Sequence, residues 1–230
     1  MPVLSCEHAS NAIPDEFQDR FSSDAAKSAL ASHRGWDPGA LPLAEAIAEK
    51  LGAPLLRADV SRLLIELNRS PENPERWSEF SENFSESEKH RLHETHFVPW
   101  LGELHRRIDV DIAERGFALH LSLHSFTRSL NGQVRDVDIG ILFDPARNRE
   151  SDIASDWIAR LRLAAPDLDI RANEPYRGAD DGITTLLRRV YPNERFGGIE
   201  LEVCQSFFLE DRPWPWSRLV ALIVNSVPDV

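Results

Sequence analysis

Two histidines and an aspartate, His8, Asp37 and His124, are suited by type to hold a divalent cation. A catalytic zinc site takes three nitrogen or carboxylate-oxygen ligands and leaves one position for water. The three are far apart in the chain and form no local motif of the HExxH kind. Spacing alone therefore leaves each an ordinary role as well, as a hydrogen-bonded strand-end histidine or, for Asp37 before Pro38, a turn or helix cap. Glu200 and Glu202 lie in Gly198-Ile199-Glu200-Leu201-Glu202-Val203-Cys204-Gln205. Strand alternation puts Glu200, Glu202 and Cys204 on one face and Ile199, Leu201 and Val203 on the other. A carboxylate on such a face can serve as the general base toward water; the alternative is a solvent-facing edge strand. Asn68-Arg69 precedes the Ser70-Pro71 turn. The planar fork of arginine suits bidentate capture of a carboxylate, and the neighbouring amide can share it. As an isolated pair the two would form a surface ion pair and a turn residue.

Other groups are weaker candidates. His90, His93 and His96 form HxxHxxH, but on a helix the outer two point about 120° apart, which disfavours a common ion. Cys6 and Cys204 sit in apolar runs, where a thiol is inert packing. Arg128, Arg135 and Arg177 fall in loops that could line a pocket or simply be solvated.

The elements that must position these residues alternate. Val3 to Cys6 reads as a short buried strand running into a polar loop at Glu7. Helical spacing covers about Ala25 to His33 and Leu41 to Leu51, the latter with Pro42 near its start and Gly52 just past its end. Pro54 to Arg57 and Leu63 to Leu67 read as strands. One or two surface helices follow over about Ser85 to Arg115, with Pro99 a break or kink. Phe117 to Leu123 and Val137 to Phe143 read as strands, separated by a charged loop to Arg135. A helix over about Glu150 to Leu163, a weak strand at Leu168 to Arg171, a turn-rich loop over Gly178 to Gly182 and a short helix through Thr185 to Val190 come next. Ile199 to Cys204 is the last strand, and a helix over about Trp216 to Ser226 follows Pro213-Trp214-Pro215. This order predicts an α/β layered domain with a largely parallel or mixed central sheet. Ligands of such sheets gather where loops leave the carboxyl ends of strands. That is where His8, Asn68, Arg69 and His124 are expected.

Composition narrows the function classes. The chain has 230 residues, enough for one full-sized core, and no apolar run of the roughly 18 to 20 residues that a membrane span needs. A formal charge of −12, from 38 acidic and 26 basic residues, disfavours a nucleic-acid backbone as partner. Two cysteines outside any CxxC pair suggest no oxidising compartment, and the first ten residues do not resemble a secretory signal, so a soluble cytoplasmic protein is the expectation.

Taken together and in order, five segments resemble the N-formylglutamate amidohydrolase family: Ser5-Cys6-Glu7-His8-Ala9-Ser10-Asn11-Ala12-Ile13-Pro14, Gly35-Trp36-Asp37-Pro38-Gly39-Ala40, Leu67-Asn68-Arg69-Ser70-Pro71, Leu123-His124-Ser125-Phe126-Thr127 and Glu200-Leu201-Glu202-Val203-Cys204-Gln205. The resemblance runs from first strand to last. It implies one α/β domain over residues 1–230, with a central mixed, largely parallel sheet flanked by helices, phosphorylase/hydrolase-like and related to the zinc carboxypeptidases and aspartoacylases. It implies a single zinc ion on His8, Asp37 and His124, a catalytic Glu202 with Glu200 as the fallback one pleat away, and Asn68 with Arg69 as the carboxylate-binding pair. Glu7 stands where relatives with a Pro-His-Ser-Gly form have proline, and so ranks below His8. The implied reaction is hydrolysis of the amide of N-formyl-L-glutamate or a similar N-acyl amino acid, a small-molecule partner, to formate and the amino acid. Two other readings stay open: carboxypeptidase-like or deacylase activity on another acylated small molecule or peptide, and a non-catalytic binding module on the same fold. Two histidines and a carboxylate also suit iron, cobalt or manganese, and the oligomeric state is left open.

Overall fold

The structure is a computed structural model that describes residues 1–209 and 214–228; Pro213 lies outside them. Strand β1 (Val3–Cys6) is buried along its whole length. A 3₁₀ turn (Asp15–Phe21) leads to α1 (Asp24–Leu30), whose N-cap Ser23 accepts from the Ala26 N–H. Helix α2 (Ala40–Leu51) is bounded by Gly39 and Gly52, both in the left-handed region, with φ of 86° and 62°. The short β2 (Leu55–Arg57) follows. The long helical stretch divides into α3 (Glu86–Leu92), opened by a Ser85–Glu88 capping box, a π-helical turn (His93–Phe97) and α4 (Val98–Arg115). Pro99 sits in the first turn of α4. It has no N–H to give to the preceding turn, and the wider π turn accommodates its ring.

The second half comprises β3 (Ala118–Phe126), a small hairpin of β4 (Ser129–Leu130) and β5 (Gln133–Val134), β6 (Ile139–Leu142), α5 (Asn148–Ala164), β7 (Ile170–Ala172), α6 (Ile183–Val190), β8 (Phe196–Cys204), α7 (Ser206–Leu209) and α8 (Trp216–Ser226). The six-stranded sheet has the order β2-β1-β3-β8-β6-β7. All neighbouring pairs are parallel except β8 with β6. The fold is thus α/β with a mixed, mostly parallel sheet and helices on both faces.

The sheet separates two apolar clusters. Leu4, Leu119, Leu121, Leu123, Ile199, Leu201 and Val203 face α2, α5 and α8. The opposite face packs on α4, α6 and the 3₁₀ segment through Val3, Ala118 and Phe196. Along β3 and β8 the alternate positions on this second face turn polar toward the strand ends: His120, Ser122 and His124 on one, Glu200 and Glu202 on the other. Period-two alternation therefore holds, but β8 is an inner strand between β3 and β6, not a solvent-facing edge.

Leu63 to Leu67 is not a strand. The run is buried in irregular backbone whose amides find other acceptors: Leu64 N–H reaches the Ser61 carbonyl and Glu66 N–H the Arg76 carbonyl. A short apolar run reports burial, and burial alone does not require a ladder. Asn68 and Arg69 accordingly leave a packed loop rather than a strand end. His124 likewise lies within β3, which extends through Phe126.

Candidate active site

Strand β1 turns out of the sheet at Glu7-His8, beside β3. The chain leaves β1 toward β2 on one side and returns to β3 on the other, so a crevice opens between β1 and β3, the usual ligand site of such sheets. His8 enters it from the end of β1 and His124 from β3. Asp37 comes from the loop before α2, tied back by its N–H to the His8 carbonyl at 3.0 Å. Gly39 lets that loop pass close to α7, where a Cβ would strike the Phe208 ring.

The three side chains converge, and all are buried. Asp37 Oδ2 lies 3.2 Å from His8 Nδ1 and 3.0 Å from His124 Nδ1, and the two Nδ1 atoms are 3.2 Å apart. Ligands at about 2.0–2.1 Å from a tetrahedral zinc stand about 3.3 Å from one another, so this triangle has the size of one face of such a site. The outer ring nitrogens agree. His8 Nε2 is 2.6 Å from Glu66 Oε1; His124 Nε2 is 2.7 Å from Ser122 Oγ and 3.2 Å from Glu7 Oε2, and that hydroxyl itself donates to Glu7. Carboxylates accept only, so a cation held between the two rings would leave each Nε2 with its proton and take the inward-facing Nδ1 as ligand atom.

The charges point the same way. Burial by itself would push the Glu7, Asp37 and Glu66 carboxyls up. The histidines outweigh it at Glu7, held at about 2, and at Asp37, and Arg62 with His8 does so at Glu66, so all three are ionised. Arg62, with Nη2 2.7 Å from Glu66 and Nη1 3.6 Å from Asp37 Oδ1, is the permanent cation against them. Burial favours neutral His124, yet Asp37 and Glu7 raise it well above the usual imidazole range. The cluster thus calls for positive charge at the point where the three donor atoms meet.

Glu202 is the register partner of His124 across β3 and β8 and faces Gly140 on β6. Burial raises its carboxyl pKa; His124 opposes this and Asp37 and Glu200 add to it. Its Oε2 is buried and has no hydrogen-bond partner among the described residues. Glu200 also reaches the pocket but is engaged by the Thr184 hydroxyl at 2.6 Å. The pocket over these groups measures about 200 Å³ and includes His8, Asp37, Arg69, His124, Glu200 and Glu202 in its wall. Asn68 Oδ1 accepts from Ile183 N–H at 2.7 Å, which fixes the amide at the start of α6. Arg69 uses Nη1 on the carbonyls of Asn68 and Asp181, at 2.8 and 3.2 Å, which holds its guanidinium at the pocket wall.

Arg62, Glu66 and Ser122 escape sequence reasoning, and Glu7 is undervalued by it. Signals for them do exist. Glu66 is a lone carboxylate in the apolar run Leu63 to Leu67, and Ser122 shares a strand face with His124. Among the described residues, His8, Asp37 and His124 are the group with metal-ligand geometry; His90, His93 and His96 have none. Cys6 and Cys204 are buried free thiols, and burial pushes Cys6 well up. Arg128 lies outside the pocket lining and pairs with Asp138 at 3.2 Å, whereas Arg135 and Arg177 are part of that lining.

No curated protein matches the chain. Among solved structures it is similar to a gene product of Agrobacterium tumefaciens, 28% identical with a TM-score of 0.73 over 97% of this chain and 89% of that one. It is also similar in fold to an N-formylglutamate amidohydrolase from Ralstonia eutropha, 16% identical with a TM-score of 0.70 over 99% of this chain and 91% of that one. The N-formylglutamate amidohydrolase family model matches residues 2–209, which takes in every residue of the crevice. By that match the chain belongs to the N-formylglutamate amidohydrolase family of hydrolases.

Proposed function

We propose that the protein hydrolyses the amide bond of an N-acyl amino acid, of the N-formyl-L-glutamate kind, with a zinc ion held by His8, Asp37 and His124. The observation that carries this reading is the triangle of Asp37 Oδ2 and two Nδ1 atoms at 3.0–3.2 Å, with each outer nitrogen held by a carboxylate or hydroxyl, directly beside Glu202. Zinc bound there supplies Lewis acidity and a water of lowered pKa.

The chain's own residues do the rest. Glu202 takes the proton of the attacking water and returns it to the departing amine, a role that suits a buried carboxylate with an uncommitted oxygen. Arg62 adds fixed positive charge beside the reacting centre, where the carbonyl oxygen becomes anionic. Arg69, whose Nη1 is held by the carbonyls of Asn68 and Asp181, offers the rest of its guanidinium to the substrate carboxylate, and Asn68 supports it. Burial of the cluster strengthens each of these interactions.

The test is metal quantification joined to a screen of formyl-, acetyl- and peptidyl-amino acids. We expect stoichiometric zinc and turnover of N-acyl amino acids. Glu202→Gln should keep its metal while losing about 10²- to 10⁴-fold in kcat. Turnover of peptides alone would move the assignment to a carboxypeptidase-like activity. A protein without metal, and inactive when zinc is added, would instead be a binding module.

A further inference from the structure

Four arginines line the pocket, and their partners differ. Arg62 is matched by Glu66 and Asp37, and Arg69 faces two carbonyls and Glu75. Arg177 is exposed, and among the described residues no side chain pairs with it. Arg135 is half-buried and fixed, yet among the described residues it has no carboxylate partner. It stands just after β5, on the small hairpin that overhangs the pocket, with its N–H bonded to the Arg128 carbonyl at 2.8 Å. Its guanidinium carbon lies 5.1 Å from the Tyr176 ring centroid and 5.8 Å from that of Phe126, and Nη1 donates to the Tyr176 hydroxyl at 2.9 Å.

Tyr176 belongs to a pinned loop. Asn173 Oδ1 accepts from Phe143 N–H and Gly178 N–H at 3.0 and 2.9 Å, and Arg188 donates to the Gly178 carbonyl. The hairpin and this loop therefore hold one cation in place with most of its donors unspent. A guanidinium held against aromatic rings keeps its charge and loses little freedom when it binds an anion.

We propose that Arg135, oriented by Tyr176, is a specificity-determining residue that binds an anionic group on the amino-acid side chain of the substrate, while Arg69 takes the main-chain carboxylate. The inference rests on the hydrolase reading above and adds to it the residues that read the charge of the substrate's side chain. A substrate with two carboxylates then uses two arginines that are separately held, and a neutral side chain leaves Arg135 unmatched.

The test compares N-formyl-L-glutamate with its neutral isostere N-formyl-L-glutamine on the zinc-loaded full chain, for the wild type, Arg135→Met and Tyr176→Phe. The wild type should favour the acidic compound by about 10- to 100-fold in kcat/KM, the size of one charge-assisted hydrogen-bonded contact. Arg135→Met should abolish that preference, mainly through KM for the acidic compound. Tyr176→Phe, which keeps the ring and loses the hydroxyl, should weaken it by a few-fold with kcat retained. A wild type without preference, or an Arg135→Met protein that loses equally on both compounds, would overturn the assignment while leaving amide hydrolysis intact. If the wild type hydrolyses no N-acyl amino acid, the hydrolase reading itself fails and takes this one with it.

Discussion

His8 and His124 divide the labour of their two ring nitrogens: Nδ1 turns inward and Nε2 is held by Glu66 or by Ser122 and Glu7. The outer partners set tautomer and ring orientation, so they should govern how tightly the centre holds an ion. Glu66→Gln and Glu7→Gln should each weaken zinc binding by about 10- to 100-fold in competition with a chromophoric chelator, and unchanged affinity in both would refute that role. By type and spacing the central residues each kept an ordinary role, and only the five ordered segments that resemble one family drew them together. Their partners were not legible. Glu66 hides in a run that reads as core, and Glu7 looks like a neighbour of a ligand until the fold sets it against His124. What decides such roles is distance across strands, which no spacing along the chain records.

At the scale of elements, alternation along β3 and β8 placed the polar positions on one face as expected, while the neighbours of β8 could only come from the topology. Leu63 to Leu67 shows the limit of reading burial as strand. Gly140 on β6 is where elements and site meet. A Cβ there would collide with the Glu174 carbonyl and touch the Glu202 side chain at 3.4 Å. Gly140→Ala should therefore cost about 1–3 kcal/mol in urea unfolding, through a backbone shift beside Glu202, and lower kcat with it; a variant as stable and active as the wild type would show that the contact is soft. The Ser85 capping box lies away from the crevice. Ser85→Ala should cost about 1 kcal/mol of stability and leave catalysis unchanged, a control that separates stability from chemistry.

Across the whole molecule, the polar positions on the sheet continue inward from the crevice to His120, fully buried with Nε2 2.7 Å from the Ser5 hydroxyl. Burial is the main cause that lowers its pKa to about 4. The unfolded chain, near 6.5, binds a proton there at pH values where the native one does not, so stability rises with pH across this window. On acidification, up to about 3 kcal/mol should be lost between roughly pH 6.5 and 4. His120→Gln should remove that part of the slope in denaturation series across the window; an unchanged slope would place the titration elsewhere. Among the described residues no helix is long and apolar enough to cross a membrane. The division of β3 and β8 into an apolar face and a polar one has a consequence for how the protein can change over time. Leu123 and His124, or Leu201 and Glu202, are consecutive residues, so deleting one residue within either strand would send an aliphatic side chain into the crevice and an ionisable one into the core. Mutational drift in length is thereby confined to the loops, and these strands can be inherited only in register.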